Sequence, residues 1–261
     1  MKKVLFLVFA LMFLYTLPKI NAKTYGWGFK RNDNHETPEI GIYAREIEGT
    51  SSYYIGNPKK KEVYLTFDVG YDDGTLEHLL KVLDEKNVKS TFFVTGDFIT
   101  RESELLMKIV EAGHIVGNHT WGHKDITKLS FDELKDELYK VEDQYYQLTG
   151  KMMIRFFRPP EGTFNKEALK NVQKLGYKTF FWSIAYRDWE DINRGKDVVV
   201  DAVINNLHNG AIILLHTVSM DNIEALPIII DQIRANGYTI KNLDDFMGSE
   251  KLFPLNFLII E

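Results

Sequence analysis

The 261-residue chain has no cysteine, no basic cluster, no low-complexity tract, no internal repeat and no apolar run long enough to cross a bilayer. Zero cysteine excludes disulfides, thiolate metal sites and cysteine nucleophiles, so any metal must be held by nitrogen and oxygen. A formal charge of −5 with scattered Lys and Arg argues against nucleic acid, whose phosphates call for clustered cations. The longest apolar run, Val4 to Leu17, falls short of the roughly 20 residues that a membrane helix requires.

That run instead follows Lys2 and Lys3 and leads to the small residue Ala22, which makes residues 1–22 a secretory signal peptide. Left uncleaved, it would anchor the chain to a membrane and still export the rest. The expected location is secreted or extracytoplasmic, and the lack of cysteine suits a bacterial exterior. With 44% hydrophobic and 26% charged residues, the chain has the composition of an ordinary folded protein.

Residues 23–60 are rich in Gly, Asn, Pro and aromatics without a sustained period, and read as an irregular extension packed on the core through Trp27, Phe29, Tyr43, Tyr53 and Tyr54. From Val63 onward, short apolar runs alternate with amphipathic stretches. Strands are predicted at 63–67, 90–94, 114–117, 156–158, 179–183, 211–215 and 238–241, with helices at 75–85, 102–111, 131–148, 166–174, 196–207 and 223–235. Gly113, Gly150, Gly176, Gly210 and Gly237 each follow a helical stretch, as left-handed C-terminal caps do. Ser130 with Glu133 three residues on fits a capping box. Seven strands alternating with six helices imply an α/β fold on a parallel sheet, open or closed into a barrel, with ligands at the carboxyl ends of the strands. Residues 61–246 form that domain and 247–261 a short tail. Asp68, His119, Pro159, Asp188 and His216 all fall at or just past predicted strand ends, so they converge on one face.

The chemistry-bearing segments are TFDVGYDDG at 66–74 and NHTWGH at 118–123. Three carboxylates and two imidazoles suffice to hold one divalent metal and keep a carboxylate as general base. His35, His78, His114 and His208 lack such company and read as structural or solvated; Trp27, Trp121 and Trp189 read as packing residues before sugar platforms.

Five motifs in order, TFDVG at 66–70, HTWGH at 119–123, RPPEG at 158–162, the 182–189 stretch and LLHT at 214–217, make the chain resemble the polysaccharide deacetylases of the NodB-homology carbohydrate esterase family. WGFKRNDNHETPE at 27–39, GYDDG at 70–74 and WSIAYRDW at 182–189 resemble its subgroup acting on muramic acid in peptidoglycan, the step leading to muramic δ-lactam of spore cortex. The resemblance implies a deformed (β/α) barrel of about seven parallel strands, peptidoglycan glycan strands as partner, and amide hydrolysis by water activated on a divalent metal, zinc. It implies Asp68 as base, His216 as acid, Arg158 and Asp188 as their orienting partners, and His119 and His123 as metal ligands. The Glu161 backbone N–H would face the oxyanion, Leu214 and Trp182 would wall the acetyl methyl, and Arg187 is the candidate for a substrate carboxylate.

Val69 departs from the family pattern, which has an aspartate there as third ligand. Asp73 or Asp72 reaching the ion, water completing the shell, and loss of metal binding are the alternatives, with Asp73 ahead of Asp72. A deacetylase of N-acetylglucosamine in peptidoglycan or chitin oligomers is the rival function within the class. A carbohydrate-binding protein with weakened catalysis is the rival outside it.

Overall fold

The computed structural model describes residues 23–31, 34–188 and 194–247. The leader, Trp189 and residues 248–261 of the tail lie outside the described residues. Eleven strands are described: β1 Tyr25–Gly26, β2 Ser52–Tyr53, β3 Glu62–Val69, β4 Thr91–Val94, β5 Ile115–Asn118, β6 Phe156–Phe157, β7 Thr163–Phe164, β8 Lys178–Phe180, β9 Ile184–Ala185, β10 Ile212–His216 and β11 Thr239–Lys241. Nine of them form one sheet in the order β2-β8-β6-β5-β4-β3-β10-β9, with β11 beside the start of β3. Every pairing in it is parallel, as a deformed (β/α) barrel requires. β1 and β7 form a separate antiparallel pair.

The seven expected strands are present, with ends shifted by up to three residues. The two additional members of the sheet, β2 and β9, have two residues each, too short to carry a period in the sequence. β2 changes the reading of the extension, which contributes a strand to the sheet instead of only packing on it. Its aromatics do pack: Trp27 stacks on Phe181 at 4.1 Å and Tyr53 on Phe180 at 5.6 Å.

Nine helices are described: α1 Tyr43–Ile47, α2 Leu76–Glu85, α3 Gly96–Arg101, α4 Ser103–Glu111, α5 Phe131–Thr149, α6 Lys166–Lys174, α7 Lys196–Ile204, α8 Met220–Ala235 and α9 Leu243–Met247. The Ser130–Glu133 capping box opens α5, and Gly150 at φ 66° closes it. In α2, Leu76, Leu79, Leu80 and Leu83 recur at helical spacing and are buried against the sheet.

Strand alternation sorts the core into two layers. Val63, Leu65, Phe67 and Val69 of β3 join the large cluster shared with the helices. Tyr64 turns the other way, into a cluster with Phe93, Phe156, Phe180 and Ile212. Asp68 has the parity of Tyr64 and belongs to the inner side. Parallel register then sets Asp68 directly opposite His216, and Asn118 opposite Phe157, so the following residues His119 and Arg158 leave the sheet at one level.

Candidate active site

At that carboxyl end lies a cavity of about 680 Å³, lined among others by Asp68, His119, His123, Trp182, Leu214 and His216. Asp68 is the penultimate residue of β3 and is nearly buried. Arg158, fully buried, donates from Nη1 to Asp68 Oδ1 at 2.8 Å. Its remaining nitrogens are held by backbone carbonyls, Nε by Phe180 at 3.0 Å and Nη2 by Phe181 at 3.4 Å, and its guanidinium lies 4.2 Å from the centre of the Phe93 ring. Burial alone would raise the Asp68 carboxyl, but Arg158, His119 and His216 together outweigh it and hold the group below its ordinary value.

His216 ends β10 and forms a second pair. Asp188 Oδ1 lies 2.7 Å from His216 Nδ1, while its Oδ2 accepts the His216 backbone N–H at 2.7 Å. Burial pulls the imidazole down, and the Asp188 carboxylate more than offsets it, leaving His216 raised and favouring the protonated ring. With its Nδ1 committed to Asp188, His216 lines the cavity. Asn222 of α8, buried, donates from Nδ2 both to Asp188 Oδ2 and to the His216 carbonyl, at 2.9 Å for the latter. Sequence reasoning missed Asn222, because an asparagine at a helix start reads as a cap and nothing in one sequence marks its reach back to the strand.

His119 and His123 occupy the loop after β5, with ring centres 5.0 Å apart. His119 Nδ1 lies 2.8 Å from the Arg158 carbonyl, which fixes the proton on Nδ1 and leaves Nε2 bare, 3.8 Å from Asp68 Oδ2. Burial pushes the His119 pKa down to about 4, so the ring is neutral and its lone pair free. The loop is strained: Thr120 and His123 have φ of 66° and 53°, unusual for residues with a Cβ. Glu137 of α5 clamps it, accepting the Gly122 N–H at 2.8 Å and pairing with Lys124 at 2.7 Å. A signal for Glu137 was present in the sequence, since it falls on the same helical face as the buried Leu134, Leu138 and Val141.

Glu161 lines the cavity in a left-handed conformation, φ 55°, in the turn after Pro159 and Pro160. The next residue, Gly162, is needed for close packing: a Cβ there would lie 2.8 Å from Trp182 and 2.9 Å from Trp27. Trp121 lies against Gly96, where an added Cβ would meet its ring at 2.2 Å, and so becomes part of the cavity wall. Arg187 is exposed and does not line the cavity.

Asp72 and Asp73 are not brought to the histidines. Asp72 accepts the N–H groups of Gly74 and Leu76, both at 3.0 Å, and so caps α2. Asp73 accepts the Thr75 hydroxyl at 2.6 Å. Neither lines the cavity, and Val69 is fully buried in the apolar cluster behind β3. Among the described residues no group of three or more His, Asp or Glu is arranged to hold a metal ion. The donor set that fits one is the pair of imidazoles, with His119 neutral and oriented by a carbonyl as zinc ligands are.

The comparisons with known proteins agree with this geometry. Residues 55–180 match the family model described as polysaccharide deacetylase. An uncharacterized 30.6 kDa protein of Geobacillus stearothermophilus is 42% identical over 97% of this chain and 96% of its own length. The peptidoglycan-N-acetylmuramic acid deacetylase PdaA of Bacillus subtilis is 43% identical over 87% of each chain. The solved structure of PdaA, a family 4 carbohydrate esterase, superposes with a TM-score of 0.83 and 44% identity over 86% of this chain and 97% of that one. A family 4 pseudoenzyme of Bacillus anthracis superposes with a TM-score of 0.71 and 32% identity over 75% of this chain and 68% of its own. The chain belongs to the polysaccharide deacetylases, the family 4 carbohydrate esterases.

Proposed function

We propose that the protein removes the acetyl group from N-acetylmuramic acid in peptidoglycan, outside the cytoplasm, as the step that precedes muramic δ-lactam in spore cortex. The observation that carries the reading is the pair of oriented groups across one cavity, Asp68 held by Arg158 and His216 held by Asp188. A binding protein has no need of a base and an acid each with its own orienting partner. Likeness to PdaA over most of both chains supports the muramic acid substrate.

His119 and His123 would hold a divalent ion, zinc, which when bound polarises the acetyl carbonyl and makes water more acidic. Asp68, ionised and within the same cavity, takes the proton from the attacking water. The Glu161 N–H donates to the oxygen that becomes negative as the carbonyl carbon turns tetrahedral. His216, protonated, delivers its proton to the amide nitrogen as the C–N bond breaks, so the products are acetate and the free amine. Leu214 and Trp182 enclose the methyl and keep other water out.

A two-imidazole set, and the existence of a pseudoenzyme with this fold, also favour a second reading, a carbohydrate-binding protein without turnover. Mass spectrometry of defined muropeptides, incubated with the chain with and without chelator, tests both. Acetyl loss from muramic acid is expected; loss only from glucosamine moves the substrate, and no loss with any divalent metal supports the binder.

A further inference from the structure

Among the described residues, Tyr71 is the only exposed large apolar side chain that lines the cavity, with 61% of its surface in solvent. Its ring has no aromatic or hydrogen-bonding partner among the described residues, whereas its backbone is held on both sides. Before it, Val69 accepts the Thr95 N–H at 3.1 Å, and Thr95 Oγ1 reaches the Gly70 carbonyl at 3.4 Å. After it, Asp72 binds the Gly74 and Leu76 N–H groups and Asp73 binds the Thr75 hydroxyl, which also reaches the Thr217 carbonyl beside His216. Both carboxylates are thus spent on fixing this turn.

We propose that Tyr71 is a platform on which a pyranose ring of the glycan strand stacks at the rim of the cavity, next to the sugar whose acetyl group enters it. The amphipathic ring offers a flat apolar face that matches the C–H face of a pyranose, and its fixed backbone means that little conformational freedom is lost on binding. The GYDDG segment then serves substrate positioning, with Asp72 and Asp73 acting as braces for Tyr71. Tyr71 sits two residues beyond Val69 and three beyond Asp68, so a sugar stacked on it lies beside the base. The proposal rests on the glycan-deacetylase reading of the cavity, but its test does not require turnover.

The test is calorimetric titration of the full chain with a peptide-free, de-N-acetylated peptidoglycan tetrasaccharide, which offers the protein no acetyl to remove. Tyr71→Ala is expected to weaken binding about tenfold, the effect of removing one aromatic anchor. Tyr71→Phe and Tyr71→Trp, which keep a ring, are expected to stay within about twofold of the parent. Equal affinity of Tyr71→Ala and parent overturns the platform, and so does a parent that does not bind the tetrasaccharide. Because Tyr71 is exposed, an unchanged melting temperature in Tyr71→Ala is expected and separates lost contact from lost fold. Failure of the deacetylase reading shows elsewhere, as no acetate released from the acetylated tetrasaccharide, and leaves the comparison of affinities intact.

Discussion

Arg158 Nη1 donates to Asp68 Oδ1 across 2.8 Å, and the whole arginine side chain is closed off from solvent. The charge in that position is met by Asp68, the Phe180 and Phe181 carbonyls and the Phe93 and Trp182 rings. Arg158→Met therefore leaves a nearly buried carboxylate without its cation. The variant is expected to lose about 3–5 kcal/mol of stability, as when one partner of a buried pair is removed. Arg158→Lys keeps the charge but loses the fork to the two carbonyls, and its kcat/KM is expected to fall about 100-fold. Chemical denaturation and steady-state kinetics check the two; a Lys variant with parental kcat/KM would contradict the orienting role.

The second pair makes a prediction in pH. His216 is raised by Asp188 against the pull of burial, and Asp68 is lowered by Arg158 and the histidines against the same pull. Activity that needs His216 protonated and Asp68 ionised is expected to have an alkaline limb above about pH 6.5 and an acid limb below about pH 3.9, the ordinary values of the two groups. Asp188→Asn removes the charge that raises His216, so its alkaline limb is expected to move to lower pH. Stability follows the same sign. A raised histidine contributes stability that is fully present below its unfolded value and is lost as pH rises through the folded one. The stability gap between parent and Asp188→Asn is thus expected to be wider at about pH 6 than at about pH 9. A pH–rate profile with an unmoved alkaline limb would count against the pairing.

Val69→Asp would bury a carboxylate among Leu65, Phe67, Leu76 and their neighbours on the helix side of β3. With chelator present, the variant is expected to be less stable by about 3–5 kcal/mol, because that carboxylate has no cation. A thermal melt identical to the parent would show that position 69 turns toward the cavity.

Glu137 makes a sharper case for the loop that carries both histidines. Glu137→Ala frees the Gly122 N–H and Lys124 beside two residues in left-handed conformation. Zinc affinity, read by competition with a chromogenic chelator, is expected to drop about 10-fold or more, as when a partner behind a metal ligand is lost. Glu137→Gln still accepts the Gly122 N–H and is expected to recover most of it. Equal affinity in the Ala variant and the parent would remove Glu137 from the site.

Much of this site was legible because strand ends are. Asp68, His119, Arg158 and His216 follow apolar runs of strand length, and parallel pairing leaves few ways to place their ends except together. Capping competed with ligation for the same residue type, which is why Asp72 misled: an acid ahead of a helix binds its first N–H groups. Asn222 carried no readable signal, since it acts through a tertiary hydrogen bond, and Trp121, read as a packing residue, packs on Gly96 and in doing so lines the cavity. β2 and β9 escaped because two residues cannot show alternation.

The most direct test is acetate release from purified peptidoglycan glycan strands by the parent chain and by Asp68→Asn, in the presence of zinc. The expected result is release by the parent and a fall of about 100-fold or more in the variant, the size of a lost general base. Equal release by the two proteins, or none from the parent with any divalent metal, would contradict the assignment of hydrolysis to this cavity.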